Sequence, residues 1–296
     1  MEFVPLWETE RRDTHRYISM GILVLWLMTF VMNGIALYIY SGMGNIAAEY
    51  RVRTLLFLQA KILLVQAISG ILWFAVSLYI FLSALFIEER EKYNIASGVM
   101  FLISGTAELV IAIFLLIIRN RLLYVAYRLP LISMDELRAF ILEINKTLIP
   151  LSLAANIVIS LSIGLAFIML GLGIRKYAWK LENKLLGITY SQFPPYVPEG
   201  TSEASTSQIH PMYTPLISRI RQGIKKMYSG GTMYLLSGVF DIIGIFIPFM
   251  GFLAFIFFII GMVQISAGRR MIEEGRRQYI LSQQLETSRK YEGELV

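Results

Sequence analysis

Residues 233–265 read MYLLSGVFDIIGIFIPFMGFLAFIFFIIGMVQI, and how this stretch lies in space decides the fold. As one α-helix it would be about 50 Å long, against a bilayer hydrocarbon core of roughly 30 Å. A single crossing would therefore leave roughly 20 Å of Leu, Ile and Phe in headgroups or water. Near its middle stands Ile247-Pro248-Phe249-Met250-Gly251. Proline has no amide to donate and glycine accepts turn conformations, so this is where the chain can reverse. The spacing predicts a helical hairpin that enters and leaves the membrane.

Four further stretches have the length and apolarity of a span: Tyr17 to Tyr40, Ile62 to Ile87, Ile95 to Ile118 and Leu148 to Ile174. The first is too long, and too poor in small-residue cleavage patterns, for a signal peptide, so it reads as a retained helix. Backbone polar groups in hydrocarbon must bond within their own segment, which makes each span a helix. The expected fold is all-α, a polytopic membrane protein with six transmembrane helices, or five if the last stretch is one rod. Composition agrees: 56% of residues are hydrophobic and only 16% charged.

Charge placement favours six. Short cytoplasmic segments beside span ends carry excess Lys and Arg. Six spans put nineteen cations on one side, including Arg11, Arg12, Arg16, Lys176, Arg219, Arg221, Lys225, Lys226, Arg269 and Arg270, against eight on the other. Five spans give thirteen and fourteen, which carries no orientation. Both termini are then expected on the cytoplasmic side of a cell membrane. The net charge of +6 belongs to these span borders and to contacts with anionic headgroups; without a compact basic face interleaved with aromatics, no nucleic-acid partner is expected.

Outside the spans, Ser133-Met134-Asp135-Glu136 fits a helix-capping box, followed by Leu137, Phe140, Ile141, Ile144 and Leu148 at helical spacing. Span four should thus begin as a helix beyond the bilayer, paired with a continuation of span three through Arg119 to Tyr127. Residues 175–230 form a loop with a Pro/Ser/Thr-rich linker over 191–215. There follows a basic amphipathic helix over 216–228, expected to lie on the membrane surface with Arg219, Arg221, Lys225 and Lys226 toward headgroups. In the tail, 267–296, Gly268-Arg269-Arg270 recurs seven residues on as Gly275-Arg276-Arg277. That tail reads as a helix leaving the bilayer and fraying, with self-association a lesser use.

Polar residues within spans are costly and therefore mark candidate sites. Glu108 lies near the middle of span three and Asp241 in the first arm of the hairpin, while Asn33, Gln66 and Asn156 are amides in spans one, two and four, with Lys61 at a border. Placed along their helices, they fall toward one membrane face as a polar layer, readable either as structural hydrogen bonding or as a pathway for a solute, cation or proton. The glycines at 98, 105, 164, 171, 173, 238 and 244 read as sites of close helix approach.

Chemistry is harder to find. His15 and His210 lie outside the spans and there is no cysteine, so intramembrane haem, zinc and thiolate sites lack their ligands. No histidine stands ready to activate Ser69, Ser104 or Ser237, and no phosphate-binding glycine loop occurs. No enzyme activity, cofactor or metal is expected. The leading reading is a non-catalytic membrane component that anchors or assembles a protein partner or a homo-oligomer. The alternative is a small permease or channel using Glu108 and Asp241. Single cysteines at Thr201, Met250 and Ser288, labelled in intact cells with an impermeant maleimide, should react only at Met250; labelling of Ser288 would restore five spans.

Overall fold

The computed structural model describes residues 14–41, 51–85, 92–128, 134–192, 214–247 and 249–293. They form six helices: α1 (Thr14–Ser41), α2 (Arg51–Leu85), α3 (Lys92–Arg128), α4 (Met134–Gln192), α5 (Thr214–Gly244) and α6 (Phe249–Gly293). Five of these, α1, α2, α3, α4 and α6, are long and apolar enough to cross a membrane.

The decisive stretch breaks where proline and glycine placed the reversal. α5 ends at Gly244, and residues 245–247 form a turn in which the Ile247 amide donates to the Ile243 carbonyl at 3.1 Å. Helix resumes at Phe249, the Met250 amide donating to the Ile247 carbonyl at 2.9 Å. Pro248 itself lies outside the described residues, as do the capping Ser133 and residues 193–213 of the linker. α5 is not among the five span-like helices: only its second half, from Met233, is predominantly apolar.

The chain divides into two compact units, Met1–Ala166 with Gly238–Gly251, and Phe167–Ser237 with Phe252–Val296. In the first, α2 and α3 pack antiparallel along a seam in which small residues recur every seven positions. Methyl groups placed on the glycines show how tight it is. One on Gly105 would stand 2.6 Å from Ser77 Cβ, one on Gly98 2.9 Å from Ala84 Cβ, and one on Gly70 2.7 Å from the Glu108 carbonyl oxygen. A seven-residue repeat keeps such a seam facing its partner over many turns. Toward the start of α2 it fills with larger side chains, where Leu56, Leu63, Leu115, Leu122 and Leu137 are buried, with Phe140 and Ile144 packed against them. The helical extension of spans three and four is thus present as expected.

The second unit uses the same device. A methyl on Gly223 would stand 2.6 Å from the Gly268 carbonyl oxygen, one on Gly230 2.8 Å from that of Gly261, and one on Gly275 2.7 Å from Ile220. The Ser237 hydroxyl donates to the Ala254 carbonyl at 2.8 Å across the same seam. On α4, a methyl on Gly171 would stand 2.6 Å from the Gly231 carbonyl oxygen. Between the three helices Phe167, Tyr234 and Phe258 are fully buried, with Tyr234 and Phe258 stacked at 5.5 Å between centroids.

Two expectations are corrected here. The apolar side of the basic segment 216–228 is not left for lipid to cover: the segment is the first half of the continuous helix α5. Its apolar residues Ile220, Ile224 and Met227 are buried with Ala178 of α4 and packed by Ile272 of α6. An amphipathic pattern requires only that something cover the apolar side, and here protein does so. The tail, likewise, does not simply fray. α6 runs to Gly293, and Gly268 and Gly275 of its repeat are contact points with α5.

Filling the seam should be costly where backbones touch. Gly261→Leu, directly against Tyr234, is expected to lower stability in a detergent unfolding titration by about 1–3 kcal/mol. Gly251→Ala, with nothing within 4 Å of its added methyl, should stay within about 0.5 kcal/mol. Equal effects would contradict the seam.

Candidate functional site

Glu108 sits on the seam face of α3, one turn from Gly105 and one from Ala112, with Gly70 of α2 against its carbonyl oxygen. It is half-buried. The sites equivalent to it one heptad away are Phe101 and Leu115, both buried apolar side chains. A carboxylate therefore stands where the repeat elsewhere places a hydrophobic one.

Asp241 repeats the situation on α5. Counting by threes and fours from Gly230 through Tyr234 and Ser237, it occupies the position held one and two heptads earlier by Tyr234 and Met227. One carboxylate oxygen, Oδ2, is buried and has no hydrogen-bond partner among the described residues. Its neighbour in sequence, Ile242, fills the space beside Gly164 of α4. An ionised carboxylate so placed costs several kcal/mol relative to an apolar side chain.

The other members of the expected polar layer are elsewhere. Asn33, Gln66, Asn156 and Lys61 are all exposed on the surfaces of their helices. None of the hydrogen bonds or ion pairs seen among the described residues joins any two of the six. Position along a helix axis was legible in the sequence, but rotation about that axis was not, and rotation decides whether polar groups meet. Two buried amides escaped the sequence reading, Asn94 near the start of α3 and Gln264 of α6, whose Oδ1 and Oε1 are buried without a partner among the described residues. Another polar pair, Trp73 Nε1 donating to Ser104 Oγ at 3.2 Å, ties α2 to α3.

The second group of candidates, the cations, lies on a helical stem in the second unit, built from the ends of α4 and α6 and the start of α5. Arg219 bonds Glu274 of α6 at 2.5 Å, and Arg277 bonds Glu273 one turn back at 3.0 Å. Arg175 of α4 stacks over the Tyr228 ring at 4.5 Å and donates to its hydroxyl. The Arg219–Glu274 and Arg175–Tyr228 contacts clip the three helices together. Arg221, Lys225, Lys226 and Arg270 point outward and are exposed, and Arg269 is engaged within the chain. Half-exposed ion pairs of this kind contribute about 1 kcal/mol or less each, so the buried Ile220, Ile224 and Met227 hold the stem more than its charges do.

No protein-family model, no curated protein and no solved structure matches the chain.

Proposed function

We propose that this chain is a non-catalytic, multi-pass component of a cell membrane. Its basic stem, on the cytoplasmic side with both termini, anchors to anionic lipid headgroups and presents a surface on which partners assemble. The observation that carries this reading is the division of labour on α5. The apolar side of its first half is used up against α4 and α6, while Arg221, Lys225 and Lys226 remain exposed on its other side. With Arg270 of α6 they form an outward-facing basic surface, and each cation near an anionic leaflet contributes about 1 kcal/mol of attraction. Orientation follows from the excess of cations on that side in the six-span arrangement, with α5 and α6 as the paired crossings.

A second reading, a small permease or channel, is favoured by Asp241. A buried carboxylate oxygen without a partner, in a position that a Leu would fill at lower cost, is the kind of feature kept for ion or proton handling. Against it, the amides that would extend a polar pathway face outward on separate helices.

One preparation tests both. In proteoliposomes of mixed neutral and anionic lipid, the purified wild type should retain anionic lipid through detergent exchange. Replacing Arg221, Lys225, Lys226 and Arg270 together by Gln should reduce that retention about tenfold or more. Flux of protons, monovalent cations or small solutes should be absent in the wild type and in Glu108→Gln and Asp241→Asn. Unchanged retention would sink the anchoring role, and flux abolished by both carboxylate variants would establish the permease instead.

A further inference from the structure

α1 is two helices in one as far as packing goes. Its first half is held by α2: Ile18, Ile22 and Leu25 are buried, and a methyl on Gly21 would stand 2.7 Å from Ile80. From Leu27 to Ser41 no described side chain is buried. Phe30 and Tyr38 are each 81% exposed. Lipid alone can cover apolar side chains, so this exposure by itself decides nothing.

Two features of that free half are not explained by lipid. The first is Asn33. It lies within the apolar span Ile18–Ile39, about 7 Å from its middle, and it is exposed. A primary amide offers two donors and an oxygen acceptor, none of which hydrocarbon can satisfy. The second is Gly34, next to it. At Gly21, Gly70, Gly98, Gly105, Gly164, Gly171, Gly223, Gly230, Gly231, Gly244, Gly261, Gly268 and Gly275, an added methyl would meet another part of the chain within 3.1 Å or less. Gly251 is itself what Gly244 approaches. Gly34 alone among the glycines so described neither meets anything within 4 Å nor is met. Elsewhere in this chain a helical glycine is a seat for a neighbouring helix; here the seat is open, beside an unsatisfied amide.

We propose that the free half of α1 packs against α1 of a second copy of this chain, through Phe30, Asn33, Gly34 and Leu37, with the two Asn33 amides hydrogen-bonded to each other. The second copy is the occupant because the patch is self-complementary. Copies inserted with the same topology are related by a two-fold axis along the membrane normal, which brings Asn33 opposite Asn33. There each amide donates to and accepts from its mate, while the paired glycines let the backbones close. The inference rests on α1 spanning the membrane and is independent of what the basic stem holds.

The absence of cysteine from the natural chain makes the test direct. Single cysteines at Phe30, at Leu37 and, as a lipid-facing control, at Leu153 of α4, which is 62% exposed, are introduced into the full chain and oxidised in membranes. A disulfide-linked pair of chains is expected for Phe30→Cys and Leu37→Cys and not for Leu153→Cys. On the Leu37→Cys background, Asn33→Leu and Gly34→Leu should each reduce that product about tenfold. Leucine suits a lipid-facing helix, and recovery of the variants from washed membranes checks insertion separately. Equal cross-linking at all three positions, no reduction by Asn33→Leu, or capture of a different protein in place of the second copy would each overturn the proposal.

Discussion

Helices in hydrocarbon gain little by hiding apolar side chains from lipid, so what holds them together is close contact, and in this chain glycine makes that contact possible. A helical glycine costs about 1 kcal/mol relative to alanine where nothing is gained from it. The return here is backbone against backbone: the carbonyls of Glu108, Gly231, Gly261 and Gly268 stand where a neighbouring side chain would otherwise begin. At that separation dispersion and Cα–H···O contacts act along the whole length of a helix pair. The seven-residue spacing turns isolated contacts into a seam. Gly223, Gly230 and Ser237 of α5 run past Ala254, Gly261 and Gly268 of α6, and large side chains such as Tyr234 and Ile265 fill the intervals.

Once the seam is in place, the other features find their positions. It carries α5 and α6 as a pair into the stem, where Ile220 packs beside Gly275 and the charges face out. It also sets Glu108 and Asp241 apart from ordinary polar residues. Both stand in the large-residue positions of their heptads, one against α2 and the other continuing the pattern of α5. A carboxylate there displaces an apolar side chain from a place otherwise suited to it. Gly34 shows the converse, a helical glycine to which no approach is made among the described residues.

Much of this was legible in the sequence, and the limits have physical causes. The break after Gly244 followed from length together with Pro248 and Gly251. The start of α4 at Met134, well before Leu148, followed from the spacing of Leu137, Phe140 and Ile144. The covering of the amphipathic start of α5 could not be read, because periodicity reports an apolar side but not whether lipid or protein lies on it. The repeat at Gly268 and Gly275 is plain in the sequence but carries little alone: two glycines on one helix define a seam only when Gly223 and Gly230, on a different segment, are set against them. The polar layer went unformed for the same reason in reverse, since sequence places Asn33, Gln66 and Asn156 along their helices but not around them.

The antiparallel register of α5 against α6 is the claim on which the hairpin, the stem and the position of Asp241 all depend, and one disulfide measures it. With cysteine at both 237 and 254 in the otherwise cysteine-free chain, oxidation should link the two positions within a single molecule, because Ser237 already bonds the Ala254 carbonyl across the seam. A pair at 237 and 261, displaced by two helical turns, should remain reduced. Linkage of neither pair, or of the displaced pair in preference, would contradict the account.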